Sequence, residues 1–193
     1  MKPLPPNFIV GIGGSAGGLT AYKAFLHALS IQTGMAFVIV SHILPDATSQ
    51  LAMILSRSTG MPVLVASTAM QIESNHVYVC PPNADLFIKG DVLEVVTPRS
   101  KRNVQVNVFF TSLALAKRQR AIGIVFSGYD GDGAEGCRAI KANGGTTFAQ
   151  DESAEVGGMP LSAQATGCVD FVLSPEGIAD RLHKIAKKSS QST

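Results

Sequence analysis

Short apolar runs alternate with segments of helical periodicity along most of this chain. The first run, residues 8–12, is followed at once by apolar residues at helical spacing from Leu19 to Leu29. Such a run is typical of a strand covered on both faces, and the spacing after it is typical of an amphipathic helix. Repetition of this unit predicts an α/β fold, a doubly wound three-layer sandwich with a mostly parallel sheet.

The later elements continue this alternation with one interruption. Further strands are predicted over residues 35–41, 61–66, 76–80, 121–126, 146–149 and 169–173, and further helices over 47–58, 104–118, 134–143, from 158, and from 175 to 188. Residues 85–88 and 92–96 flank Lys89-Gly90-Asp91, which predicts a β-hairpin. We expect this hairpin to form an antiparallel edge of the sheet.

The length of the chain favours one compact domain. Its 193 residues can bury a large core without dividing into two domains. Residues 1–7 contain three prolines and are predicted to be an extended lead-in. We therefore expect the domain to span residues 8–188 and residues 189–193 to be a polar tail or the start of a linker.

Composition excludes several classes of function. A net charge of +2 is too small to indicate nucleic-acid binding, and no apolar run approaches the roughly 20 residues of a membrane span. Cys80, Cys137 and Cys168 are widely spaced in apolar surroundings, which predicts reduced core cysteines in a cytoplasmic protein. No cluster of metal ligands is recognisable, so we predict neither a metal nor a cofactor.

The glycine-rich turn after the first strand can be interpreted in three ways. Residues 13–17 read G-x-S-x-G, the nucleophile-elbow pattern, with Ser15 at a strand-to-helix turn. Gly11, Gly13 and Ala16 also fit the dinucleotide fingerprint, which requires an acid about 20 residues later to hold a ribose. Here the second strand ends in Ser41-His42, and the first acid beyond it follows a proline. A glycine-rich turn without chemistry is the third possibility.

A serine nucleophile needs a base and an acid that orients the base. His42 ends a predicted core strand at the same sheet edge as Ser15, and Asp130 and Asp132 follow another strand at that edge. The alternatives are a packing or capping role for His42 and a helix cap at Asp132. A calcium loop is disfavoured because the later acid is missing. The order Ser, His, Asp differs from that of α/β-hydrolases.

Four segments together resemble the catalytic domain of the chemotaxis protein-glutamate methylesterases, the CheB type. They are GIGGSAGG at 11–18, SHILP at 41–45, SGYDGDG at 127–133 and GMP at 158–160. The resemblance implies a doubly wound hydrolase with a Ser-His-Asp triad. It also implies a substrate, the glutamyl methyl esters of methyl-accepting chemoreceptors, and for many relatives deamidation of receptor glutamines.

The resemblance assigns a role to individual residues of this chain. Ser15 corresponds to the nucleophile, His42 to its base, and Asp132 to the carboxylate that orients the base, while Asp130 is expected to be dispensable. Residues implied to contact the oxyanion or the substrate are Ala16, Tyr129, whose backbone N–H is the group concerned, and Met159.

Two features depart from the family pattern. The two-component form begins with a phosphorylatable receiver domain that links it to a phosphorelay, whereas only a short lead precedes the first strand here. The chain therefore resembles the esterase unit that opens fusions with a receptor methyltransferase. Asn107 stands where an aspartate is common, and residues 98–103 form a basic segment, either a solvated connection or a contact for an acidic partner.

Three functions remain open on the sequence alone. The first is an esterase acting on protein glutamyl methyl esters. The second is a dinucleotide-binding domain, which the missing ribose acid disfavours. The third is a catalytically silent regulatory module that keeps the fold and binds a partner.

Overall fold

The structure, a computed structural model, describes residues 4–42 and 50–190, with side chains described as far as residue 188. Its strands are β1 (Ile9–Gly14), β2 (Ala36–Ser41), β3 (Val63–Val65), β4 (Met70–Gln71), β5 (Val77–Val79), β6 (Asp85–Lys89), β7 (Val92–Val96), β8 (Ala121–Val125), β9 (Thr146–Gln150) and β10 (Phe171–Leu173). Its helices are α1 (Gly18–Ala28), α2 (Leu51–Leu55), α3 (Gln105–Lys117), α4 (Ala134–Ala142), α5 (Gly158–Ala165) and α6 (Pro175–Ser190).

Seven parallel strands form the main sheet, in the order β10-β9-β8-β1-β2-β5-β3. β1 lies at the centre, with β2 and β8 as its neighbours. Because these strands are parallel, their carboxyl ends meet at one edge of the sheet. Gly14 there pairs with Ser41 of β2, and Gly13 pairs with Val125 of β8. The predicted α/β fold with a mostly parallel sheet is confirmed.

The predicted hairpin forms, but it is not an edge of the main sheet. β6 and β7 pair antiparallel and join β4 in a separate three-stranded sheet. Leu86, Ile88 and Leu93 of this hairpin are buried in the same apolar cluster as Phe109 of α3. The hairpin therefore packs against α3 instead of pairing with a strand of the main sheet. Alternation in the sequence predicts that a strand forms, and this burial decides where it lies.

Alternate residues of the central strands supply two apolar clusters on opposite faces of the sheet. Val38 and Val40 of β2 belong to the cluster that contains α3, α4 and α5, whereas Phe37 and Ile39 belong to the one that contains α1 and α6. This is the period of two expected of a strand covered on both faces. The result is the predicted three-layer arrangement, helices above and below one sheet.

Several predicted boundaries differ from the structure. Gly13 and Gly14, predicted as part of the turn, are the last residues of β1. A Cβ on Gly13 would lie 2.3 Å from Cγ1 of Val106, so this position lets the start of α3 approach the strand. Leu19, predicted on the buried face of α1, is 40% exposed. Of the helix predicted over 47–58, residues 47–49 lie outside the described residues, as do residues 43–45 of the SHILP segment.

All three cysteines are free within the described structure, but Cys168, predicted to be a core residue, is only partly buried. Cys80 and Cys137 are buried, and burial raises the pKa of each thiol to about 12. A thiol with so high a pKa is a poor nucleophile at neutral pH. The described residues contain no group of side chains able to hold a metal ion, and no helix among them is long and apolar enough to cross a membrane.

Candidate active site

Ser15 is the first residue after β1, in the three-residue connection to α1. Its backbone N–H donates to the carbonyl of Ser127 at 2.8 Å, and its own carbonyl accepts from Gly18 N–H at 2.9 Å. Gly17, just before the helix, has a φ of 73°. This left-handed conformation suits glycine and allows so short a connection. The serine is therefore held at the carboxyl edge of the central strand.

His42 is brought beside Ser15 by strand pairing. Gly14 pairs with Ser41, so Ser15 and His42 are the next residues along β1 and β2, and His42 N–H donates to Gly14 O at 3.3 Å. The His42 side chain is only 8% exposed. Within the described residues no hydrogen bond links the Ser15 hydroxyl to His42. In hydrolases without substrate this contact is often long and tightens when substrate binds.

Asp132 holds His42 from a fully buried position. Its Oδ2 atom accepts from Nε2 of His42 at 2.7 Å, and the aspartate side chain has 0% exposure. The backbone N–H groups of Val106 and Asn107, at the start of α3, donate to the same carboxylate at 2.9 Å each. Gly133 N–H donates to Oδ1, also at 2.9 Å. A buried carboxylate surrounded by donors in this way is held in a single orientation.

These contacts identify which nitrogen of His42 is free to act as a base. A carboxylate only accepts hydrogen bonds, so Nε2 of His42 is the protonated nitrogen. In the neutral ring Nδ1 then carries the lone pair. Asp130 Oδ2 lies 3.5 Å from Nδ1, and this aspartate is 30% exposed at the mouth of the site. Asp130 therefore faces the free nitrogen, a contact that the sequence did not predict.

Asn107 links the two helices that surround Asp132. Its Oδ1 atom accepts from Gly133 N–H at 3.0 Å and from Gly136 N–H at 2.8 Å, at the start of α4. Asp132 in turn accepts from the start of α3. The start of α4 is thus capped by a side chain of α3, and the start of α3 by a side chain from the loop that precedes α4. The sequence singled out Asn107 as a departure in a substrate segment, and the structure shows a capping residue instead.

The three residues implied to contact the oxyanion or substrate lie in different environments. Within the described residues no acceptor engages the backbone N–H of Ala16 or Tyr129, and the Tyr129 side chain is 78% exposed. Met159 has 0% exposure and packs against Gly128, whose carbonyl accepts its N–H at 2.9 Å. The Met159 side chain therefore supports the loop after β8 from beneath.

Ser127 is a structural residue that the sequence did not single out. It is fully buried, and its hydroxyl donates to Ala16 O at 2.7 Å while accepting from Val156 N–H at 2.9 Å. It therefore ties the turn after β1 to the segment before α5. In the sequence it was marked only by its place after the predicted strand over 121–126 and by membership of the SGYDGDG segment, neither of which indicated this role.

At the carboxyl edge of this doubly wound parallel sheet, a serine in a tight turn lies beside a histidine that is held by a buried aspartate. This arrangement is typical of a serine-type hydrolase. The sequence model of the CheB methylesterase family matches residues 10–182. The chain therefore belongs to the CheB methylesterase family. The family and the hydrolase class predicted from the sequence are confirmed.

Individual relatives agree with this assignment. A Leptospira interrogans protein, provisionally named as a protein-glutamate methylesterase/protein-glutamine glutaminase, is 36% identical over 173 residues, 88% of this chain and 90% of that protein. A Rhizobium meliloti protein of the same double name is 34% identical over 96% of this chain, which spans 54% of that relative. The catalytic domain of Thermotoga maritima CheB methylesterase matches with a TM-score of 0.84 at 26% identity, covering 92% of this chain and 98% of that one.

Proposed function

We propose that this chain hydrolyses glutamyl methyl esters on the cytoplasmic domains of chemoreceptors, with Ser15, His42 and Asp132 as its catalytic residues. The observation that carries the proposal is the contact between His42 Nε2 and the buried Asp132, directly beside the serine turn. The family supports the ester chemistry, and the geometry around His42 supports the proposed residue roles. The proposed catalytic unit is the domain over residues 8–188.

The reaction begins with attack of Ser15 Oγ on the ester carbonyl. The hydroxyl proton passes to Nδ1 of His42, and Asp132 stabilises the imidazolium through Nε2. Collapse of the tetrahedral intermediate breaks the bond to methoxide, which leaves as methanol with that proton. Water then attacks the acyl-enzyme with His42 again as base, which releases the glutamate carboxylate and restores the serine.

The oxyanion of the intermediate needs donors that are not already engaged. The backbone N–H groups of Ala16 and Tyr129 have no acceptor within the described residues. Ala16 lies in the serine turn, and Tyr129 follows Gly128, where an added Cβ would lie 3.2 Å from Cβ of Ser15. Preorganised donors of this kind are usually a large part of the catalytic effect. The same donors would serve a glutamine amide, whose cleavage releases ammonia, and the double name of the relatives supports this second activity.

The dinucleotide alternative is weakened by the role of its glycines. Gly13, a fingerprint position, makes room for Val106 at the start of α3. His42, at the end of β2 where a ribose acid would be expected, is instead bound to Asp132. A binding titration with NAD would distinguish a dinucleotide-binding domain from the esterase, and we expect no saturable binding.

The test of the proposal is Ser15-dependent chemistry on the intact chain. We expect a serine-directed fluorophosphonate to label the chain, and methylated receptor fragments to release methanol. Both signals should be lost in Ser15→Ala. Ser162→Ala is the matched control, because Ser162 lies near the same loop, with its Oγ 3.6 Å from where a Cβ of Gly131 would be.

Each other outcome identifies a different function. Labelling without methanol release on any receptor fragment would mean a serine hydrolase with another substrate. Absence of both signals in a folded chain would favour the catalytically silent partner-binding module. Equal loss in Ser15→Ala and Ser162→Ala would remove Ser15 as the nucleophile.

A further inference from the structure

The basic segment before α3 has a fixed backbone and solvent-exposed side chains. Asp85, buried on β6, accepts from Ser100 N–H at 2.7 Å and from Nε2 of Gln105 at 3.2 Å. The Gln105 side chain also donates to the carbonyl of Lys101. Lys101 and Arg102 are nevertheless exposed. Two buried polar residues thus hold a cationic segment whose charges point away from the core.

This segment leads directly into the residues that hold the proposed catalytic acid. Gln105 is the first residue of α3, and the N–H groups of the next two residues bind Asp132. The residue that holds the basic segment, Gln105, is therefore followed directly by the residues whose N–H groups bind Asp132. Lys101 and Arg102 lie on the α3 flank of the site as a result.

The opposite flank carries the other sign of charge. Asp151, Glu152 and Glu155 follow β9 on the α5 side of the serine turn. Glu155 is next to that turn, with its Cβ 2.8 Å from where a Cβ of Gly17 would be. Among the described residues, the rim of the site is thus basic beside α3 and acidic before α5. An anionic polypeptide is attracted to the first flank and repelled by the second.

We infer that Lys101 and Arg102 form a docking element for carboxylates that flank the esterified glutamate on the protein substrate. This inference rests on the proposed function and adds how that substrate is oriented. A substrate carrying several esterifiable glutamates presents a free carboxylate wherever an ester has already been hydrolysed. The basic segment binds such neighbouring charges, and the acidic flank prevents the reverse orientation. Rim charges of this kind act on encounter and on orientation more than on the chemical step.

Charge reversal at the two positions tests the docking element. The double variant Lys101→Glu/Arg102→Glu is compared with Arg118→Glu/Arg120→Glu, which changes the net charge equally. Arg118 and Arg120 are exposed and immediately precede β8, so they lie at the amino edge of the sheet, away from the site. Hydrolysis is measured on a methylated acidic receptor fragment and on p-nitrophenyl acetate, a small neutral ester.

We expect the docking variant to lose about tenfold in kcat/KM on the receptor fragment at low salt, mostly through KM. The loss should shrink above roughly 0.3 M salt, because exposed charges are then screened within a few ångströms. The rate on p-nitrophenyl acetate should not change. The amino-edge variant should stay within about twofold of the parent on both substrates, since exposed charges far from an interface contribute little.

Three patterns of loss would overturn the inference, as would the absence of any loss in the docking variant. They are equal losses in both double variants, a loss that does not depend on salt, and a matching loss on the small ester. Failure of the proposed function is separable, because it would appear in the parent chain as absence of Ser15-dependent methanol release. If the parent hydrolyses the receptor fragment and the docking variant has the same kcat/KM, the docking element is rejected and the proposed function stands.

Discussion

Asp130 and Asp132 lie two residues apart in one loop and occupy opposite environments. Asp132 is fully buried and accepts from three backbone N–H groups and from His42. Asp130 is 30% exposed, accepts from Asp132 N–H at 3.0 Å, and lies 3.5 Å from the other nitrogen of His42. Both acids therefore lie close to His42, but only Asp132 is held in place by several hydrogen bonds from the protein.

The difference shows what an orienting acid requires. A carboxylate fixes the tautomer and plane of a histidine only if its own position is fixed. The starts of α3 and α4 supply that rigidity to Asp132. Asp130 instead meets His42 at a distance beyond a normal hydrogen bond and partly in solvent, where charge interactions are weak.

Asp132→Asn is the change that should have the largest effect. The amide cannot act as an acceptor-only group toward His42 and toward the N–H groups of Val106 and Asn107 at the same time. We expect turnover to fall by about 10⁴-fold, the scale seen when an orienting aspartate is neutralised. Methanol release from receptor fragments measures the loss, with near-parental circular dichroism as the check on folding. A loss below roughly tenfold would mean that Asp132 is no more important for turnover than Asp130 is expected to be.

Asn107→Ala should have an intermediate effect, since it weakens the surroundings of Asp132 without touching the acid. It removes the acceptor for Gly133 and Gly136 N–H at the start of α4. Loss of a helix cap costs about 1 kcal/mol. For a domain of this size we expect Tm to fall by about 2–4 °C in thermal unfolding.

Asn107→Asp is the matched control for that change, because it keeps the acceptor at the same position. Its Tm should remain near the parental value. If alanine and aspartate lowered Tm equally, the capping role assigned to Asn107 would be wrong.

Asp130→Asn should have the smallest effect. The amide oxygen can still accept from Asp132 N–H, and the lost charge is partly screened by solvent. We expect kcat/KM to stay within about threefold of the parent, because exposed charge pairs contribute little. Asp130→Ala, which also removes the acceptor for Asp132 N–H, provides the comparison on the same receptor fragment. A large loss in Asp130→Asn would show that His42 depends on both acids.

The sequence was sufficient for the elements that local patterns specify. The run before Ser15 and the alternation of strand and helix predicted the parallel sheet, and strand ends predicted which edge carries Ser15, His42 and Asp132. Whether these three are the catalytic residues stays a prediction. The contacts that fix Asp132 could not be predicted, because two of its three backbone donors belong to a helix that begins 27 residues earlier in the chain.

The prediction that the hairpin lies at the edge of the main sheet was wrong for a related reason. A hairpin has the same alternation wherever it packs, so its burial against α3 leaves no local signal. Gly13 and Gly14 were assigned to a turn because glycine usually marks one. Here Gly13 extends the strand so that Val106 can approach it, a requirement that depends on a distant helix.

The exchange of caps between Asp132 and Asn107 also bears on how this domain could lose its activity during evolution. Asp132 satisfies backbone groups of two helices, so a lineage under no selection for hydrolysis would still be selected to keep it for folding. The Ser15 side chain makes no such contact within the described residues and could be replaced freely. A descendant that had become a pure binding module would be expected to retain the aspartate and lack the serine.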